Sequence, residues 1–291
     1  MAEVAVVSDT TAYLPRELAR EHEIHEVSLY VNDGERHDRE ADIADYGEFY
    51  DRLRRASSLP TTSQPSIGDF LEVYEPLVEE GRDVVSVHIA GGISGTVESA
   101  RQAAQDLMAR KPGRRVEVID SRMSCGGLAV ITLAARAAAR AGGDVEAVAA
   151  RARQAVDQSR IWFAVDTLEY LRRGGRIGLA QAWLGGALKI KPILTLEDEI
   201  TPVERVRTSG RAFDRLVDYM RSRKADGADG WIVQHIQAPD VAERLVEAGR
   251  EVHGCEPIFV SEIGPVIGAH IGPGLLGVGG ASRAIMGLPP A

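Results

Sequence analysis

An apolar run from Val84 to Ile89 ends in Ala90-Gly91-Gly92-Ile93-Ser94-Gly95-Thr96, and a helical pattern opens near Val97. A strand that turns through small and hydroxyl residues into a helix is one step of a βαβ unit, and the step repeats through the first half of the chain. Val4 to Val7 reads as a strand, followed by Ser8-Asp9-Thr10-Thr11 and a helix opened by Pro15. Ile24 to Val31 reads as a second strand with Asn32-Asp33-Gly34-Glu35 as its turn, and amphipathic helices follow at about 43–57 and 67–81. After the central turn come a helix to about Arg110, a strand from Arg115 to Ile119 and an Ala-rich helix from about Gly126 to Arg140. This alternation predicts an α/β fold around a parallel sheet.

A helix from Asp144 to Ser159 reads as a bridge, which divides the chain into 1–158 and 159–291. The second part reads as a strand (Ile161 to Val165), a helix (Leu168 to Arg173), the turn Gly174-Gly175-Arg176 and a helix from Leu179 to Leu188. Strands Lys191 to Leu196 and Ile200 to Arg207 flank the acidic turn Glu197-Asp198-Glu199, which predicts a hairpin. Helix Arg211 to Arg223, strand Gly230 to His235, helix Pro239 to Val252 and strand Pro257 to Val260 follow, so a mixed sheet with helices on one face is expected.

In open α/β sheets ligands sit beyond the carboxyl ends of the strands. Three polar turns fall there: Ser8-Asp9-Thr10, Ala90 to Thr96 and Asp120-Ser121. Each could be a helix cap alone, but three on one rim favour a site. The Ser94 turn places backbone N–H groups and hydroxyls at a helix N-terminus, an arrangement for a phosphate, an oxyanion or a carboxylate. Pro60-Thr61-Thr62-Ser63-Gln64-Pro65-Ser66 holds further hydroxyls in a stiff segment between two prolines. His270 lies among small and apolar residues, with six glycines between Gly264 and Gly279. Gly92-Ile93-Ser94-Gly95-Thr96 misses the G-x-S-x-G nucleophile motif at Thr96; a triad of Ser94, His270 and Asp120 is the hydrolase reading of these residues. No Walker-type Gly-Lys-Ser/Thr motif is present.

Composition narrows the classes. Hydrophobic residues make up 44% and aromatics 5%, so a large core must be built from Ala, Val, Leu and Ile. A net charge of −9 argues against nucleic-acid binding. Cys125 and Cys255 form no CxxC, the histidines have no metal-ligand spacing, and no run approaches the roughly 20 apolar residues of a transmembrane segment. A cytoplasmic setting, with no metal and no cofactor, is expected. From Tyr170 to Arg211 eight basic residues (Arg172, Arg173, Arg176, Lys189, Lys191, Arg205, Arg207, Arg211) face four acidic ones, so this window carries +4 and the rest of the chain −13.

Taken in order, several motifs resemble those of the DegV family: Ser8-Asp9-Thr10-Thr11, Thr62-Ser63-Gln64-Pro65-Ser66, Ile93-Ser94-Gly95-Thr96, Ile119-Asp120-Ser121, Tyr170 to Ile177, Lys189 to Leu194, Val206-Arg207-Thr208 and Gly264 to His270. The resemblance runs nearly end to end. It implies a Rossmann-like N-terminal domain and a C-terminal α/β domain with a mixed sheet, with a long-chain fatty acid held between them. Thr62 and Ser94 would bind its carboxylate, with His270 in the same network and Gly95, Thr96 and Ser63 beside them. It further implies a carrier rather than an enzyme: an ATP-dependent fatty acid kinase would convert the bound acid to an acyl phosphate, for enzymes of phospholipid synthesis. Arg207, with Arg205, Arg172 and Arg173, would face that kinase. The family usually has a serine pair at Ala90-Gly91 and a threonine at Ala269, so this chain has fewer hydroxyls near the turn.

A carrier is physically reasonable. About 15 buried methylenes offer on the order of 12 kcal/mol gross, and immobilisation takes back a large share. Hydroxyls and a helix N-terminus at the carboxylate then fix orientation more than affinity. A Ser94-dependent acyl hydrolase and a small-anion sensor are the competing expectations.

Overall fold

The computed structural model describes residues 3–184 and 190–290. The two central strands of its first sheet are short Val-rich runs buried on both faces, Ala5–Asp9 and Val84–His88. β1 (Ala5–Asp9), β2 (Ile24–Val27), β6 (Val84–His88) and β7 (Val116–Asp120) pair in the order β2-β1-β6-β7, all parallel. A three-stranded antiparallel sheet, β4-β3-β5, comprises β3 (Tyr30–Asp33), β4 (Arg36–Arg39) and β5 (Thr61–Ser63).

Helices α1 (Arg16–Glu21), α2 (Tyr46–Arg55), α3 (Ile67–Glu79), α4 (Thr96–Arg110), α5 (Cys125–Arg140) and α6 (Val145–Gln158) complete the first half. Three of the starts are capped by side chains: Asp45 and Asp144 each accept an N–H of the first turn of α2 and α6, and Ser66 with Asp69 forms a capping box on α3.

The second half is built on a mixed sheet in the order β10-β9-β8-β13-β11-β12. Its strands are β8 (Arg160–Ala164), β9 (Lys191–Glu197), β10 (Glu199–Val206), β11 (Gly230–His235), β12 (Val260–Glu262) and β13 (Leu276–Ala281). Helices α7 (Glu169–Arg173), α8 (Ser209–Ala225), α9 (Pro239–His253) and α10 (Pro265–Ile271) accompany them. Alternation sorts the strand residues. Ala164, Trp231, Val233, Leu276 and Val278 pack with α8 and α9, whereas Ile161, Phe163 and Ile232 join the largest apolar cluster, which also contains residues of α5. The largest cluster therefore draws on both halves of the chain, and helices cover both faces of the sheet rather than one.

Three further expectations are corrected. Ile24 to Val31 is two strands in different sheets, because the chain breaks at Ser28-Leu29, where Ser28 Oγ accepts the Ala41 N–H and Thr10 Oγ1 accepts the Leu29 N–H. The helix expected from Leu179 to Leu188 is a short 3-10 turn, Gly178–Trp183, and Leu188 and Lys189 lie outside the described residues. The strand expected at Pro257 to Val260 begins only at Val260, after Phe259 has entered the core. The glycine-rich C-terminal run supplies both α10 and β13, a central strand of the second sheet.

Candidate functional site

The first sheet ends in the Ala90–Thr96 turn, and carboxylates hold that turn in place. Asp9 Oδ2, fully buried, accepts the Ile89 N–H at 3.0 Å and lies 3.0 Å from His88 Nδ1. Asp120 accepts the Gly91 N–H at 3.2 Å. Asp198, at the tip of the β9–β10 hairpin, accepts the Gly92 N–H at 3.0 Å. A Cβ on Gly92 would stand 2.5 Å from the Asp198 carbonyl oxygen, so the hairpin can dock only on glycine. The three polar turns do meet on one rim, but Asp9 and Asp120 support the turn's backbone and do not line the cavity beside it. Beneath them Tyr74, Ser86 and His88 form a buried hydrogen-bonded chain ending on Asp9, a support that the sequence reading passed over.

That cavity, of about 340 Å³, is lined by residues of both halves of the chain. Apolar side chains such as Leu29, Ile89, Ile161, Phe163, Leu196 and Ile232 form most of its wall. Thr62, Ser63, Gln64, Ser94, Gly95, Arg176 and His270 supply most of its polar lining. Ser94, Gly95 and Arg176 also line a surface hollow bounded by Gly92, Gly175 and Glu199. The polar end therefore faces solvent, and the apolar body runs inward.

Each polar residue is placed by a different element. Ser94 Oγ lies 2.8 Å from Thr96 Oγ1 and accepts the Thr96 N–H at 3.3 Å, so Thr96 sits buried behind Ser94 and not on the cavity wall. Gly95 is the cap residue of α4, offers no side-chain cap and lines the cavity, so the positive dipole end of that helix adjoins it. A Cβ on Gly95 would collide with the Gln64 amide, whose Nε2 donates to Ser99 Oγ at 2.9 Å. Glycine at this position thus lets the β5 segment and the Ser94 turn close on each other.

Thr62 lies on β5 opposite Val31 of β3. Its Oγ1 is 2.7 Å from His270 Nε2, a contact between residues 208 positions apart. His270 rides on the last turn of α10, and the other end of that helix is gripped by the first half of the chain. Tyr50 donates to the carbonyls of Ile263 (2.7 Å) and Gly264 (3.0 Å). Glu40 accepts the Val266 N–H at 2.7 Å, and Tyr13 Oη accepts the Ile267 N–H at 3.1 Å while donating to Glu40. Burial lifts the Glu40 carboxyl to about 7. Burial, reinforced by the Arg176 guanidinium, lowers His270 to about 4, so its ring is neutral near pH 7. Its Nδ1 is buried and has no hydrogen-bond partner among the described residues.

The triad expectation is not met. His270 Nε2 is bonded to Thr62, and Asp120 is engaged by the N–H groups of Gly91 and Arg122. A Ser–His–Asp relay needs the base on the nucleophile and the acid on the base, and these three residues are each committed elsewhere. In the sequence Arg176 is one of several basic residues of the 170–211 window, yet it is the arginine that lines the cavity.

The other basic residues are dispersed. Arg172 pairs with Glu169 at 2.6 Å, Arg173 donates to the Ser57 carbonyl, and Arg205 lies 5.4 Å from the centre of the Trp183 ring. Arg207 follows the end of β10, seven residues from the cavity-lining Ile200 and hence about 23 Å along the strand. Among the described residues no helix is long and apolar enough to cross a membrane, and no cluster of metal-ligating side chains is found.

The sequence pattern of the DegV family, described as "Uncharacterised protein, DegV family", matches residues 3–283. A DegV domain-containing protein of Streptomyces coelicolor is 43% identical over 284 residues, covering 96% of this chain and 99% of that one. The structure of a fatty-acid-binding DegV family protein from Thermus thermophilus superposes with a TM-score of 0.86 at 34% identity, covering 97% of this chain and all of that one. DegV of Bacillus subtilis, a fatty acid binding protein, superposes at 0.85 with 32% identity and the same coverage. The chain belongs to the DegV family.

Proposed function

We propose that this protein binds a long-chain fatty acid, with the chain in the apolar cavity and the carboxylate at Thr62, Ser94 and His270. The observation that carries the proposal is the joining of an apolar cavity to one solvent-facing end bearing hydroxyls, an arginine and a neutral histidine. The fatty-acid-binding relatives from Thermus and Bacillus support it. In this reading the ligand lies between two domains, 1–158 and 159–291.

A neutral His270 suits the role. With its proton on Nε2, the ring donates to Thr62 Oγ1, and the Thr62 hydroxyl hydrogen is released to a carboxylate oxygen. The opposite tautomer would consume that hydrogen and leave a buried Nδ1–H unpaired, which costs about 1–3 kcal/mol. Ser94, set by Thr96, offers a second hydroxyl, Gly95 keeps the α4 N-terminus open, Ser63 completes the edge, and Arg176 supplies positive charge at the opening.

We further propose that the bound carboxylate is presented to an ATP-dependent fatty acid kinase in the cytoplasm, and that the resulting acyl phosphate passes to enzymes of phospholipid synthesis. The protein then needs no base of its own, which agrees with a histidine committed to Thr62. The exposed arginines Arg172, Arg173, Arg205 and Arg207 are the proposed contacts of the kinase. The test is acyl phosphate formation with kinase, ATP and loaded protein. Ser94→Ala should slow it at least several-fold, and unchanged turnover would reject the placement of the carboxylate.

A further inference from the structure

On the inner face of the second sheet, β13 presents glycine where its neighbours present large side chains. Leu276 and Val278 pack into the α8–α9 side, so the alternate residues Gly277 and Gly279 face the cavity side. Gly277 lies between Phe163 of β8 and Gln234 of β11; Gly279 lies between Ile161 and Ile232. Two ridges of side chains thus flank a channel floored by bare backbone and running along the strand. Gly126 of α5 lies over the β11 ridge, since a Cβ there would strike Ile232 Cδ1.

The channel is not equally open along its length. A Cβ on Gly277 would meet nothing closer than Phe163 Cβ at 3.3 Å, and Gly277 lines the cavity. A Cβ on Gly279 would stand 2.5 Å from Ile161 Cγ2 and 2.9 Å from the Arg160 carbonyl oxygen, so the Ile161 side chain, beside the β8 backbone, already fills the space over that glycine. We infer that the channel over Gly277 is the slot for the distal part of the acyl chain and that Ile161 is its end stop, so that this pair sets the preferred chain length. The inference rests on the fatty-acid reading of the cavity. Two residues along a strand span about 7 Å, which an extended chain covers with about five methylenes.

The two positions should act in opposite directions. Ile161→Ala uncovers Gly279 and lengthens the slot, whereas Gly277→Val fills it at mid-course. Each variant, and the unaltered protein, would be titrated with a series of saturated fatty acids of increasing length, with the co-purifying acid identified by mass spectrometry. The expected result is an optimum moved to longer chains, by up to about five carbons, for Ile161→Ala, and to shorter chains for Gly277→Val. An unchanged order of preference in variants that still bind would overturn the slot and leave fatty acid binding standing. Unaltered protein that binds no member of the series would instead reject the fatty-acid reading itself. If Gly277→Val does not fold, judged by circular dichroism, Ile161→Ala decides alone: a lengthened optimum supports the slot and an unchanged one refutes it.

Discussion

Thr62→Val isolates the carboxylate contact with little disturbance to the fold. Valine keeps the branched shape that β5 packs and loses only the hydroxyl, which stands 2.7 Å from His270 Nε2. In the empty protein the loss is one hydrogen bond between neutral groups, which leaves the His270 N–H unpaired and costs about 1–3 kcal/mol. In the loaded protein a bond to a charged oxygen goes too, worth about 1.5–3 kcal/mol, and affinity should fall about 10- to 100-fold. A fatty alcohol of the same length separates this from damage to the cavity, because it buries the same chain but brings no charge. Calorimetric titration of both proteins with both ligands forms a double cycle. The acid should lose at least about 1 kcal/mol more than the alcohol on substitution. Equal losses would show that Thr62 shapes the cavity and does not hold the head group, and the relay from His270 would have to be abandoned.

Gly95→Ala should drive a methyl group into the Gln64 amide and separate β5 from the Ser94 turn; a lower melting temperature together with weaker fatty acid binding is expected, and unaltered values in both would contradict the close approach. Acid should destabilise the protein through its buried histidines. His270 and His253 are both lowered from 6.5 to about 4, by burial first, with Arg176 and Lys224 adding to it respectively. Between those values the unfolded chain binds the protons that the folded chain refuses, so stability falls as pH drops from about 6.5 to 4, by up to about 3 kcal/mol per histidine. Glu40, raised from 4.5 to about 7, works in the opposite sense, since the folded state holds its proton more tightly and gains as pH falls through 7 towards 4.5. Glu40→Gln should therefore lose stability more steeply on acidification than the unaltered protein; parallel curves from chemical denaturation at each pH would refute this.

The parallel sheet was legible because its strands are short Val-rich runs that end in Ser, Asp and Gly turns, a pattern local to each segment. The residues proposed for the head group stand out for a different reason, as separate motifs resembling one family, and the fold joins Thr62 to His270 across 208 positions. No periodicity could have supplied that contact. β13 was illegible because Gly277, Gly279 and Gly280 erase the alternation that marks a strand, although Gly277 lines the cavity. The break at Ser28-Leu29 was hidden by a continuous apolar–polar run, since it depends on hydrogen bonds to Thr10 and Ala41. Arg176 was masked by the basic residues around it; only the proximity of its turn to Ser94 and Ile200 in three dimensions sets it apart.

The most direct test is to purify the protein from a bacterial host, denature it and identify the released lipid by mass spectrometry. A long-chain fatty acid approaching one equivalent per chain is the predicted result. Protein that emerges empty, and that also fails to take up added fatty acid, would contradict the account at its centre.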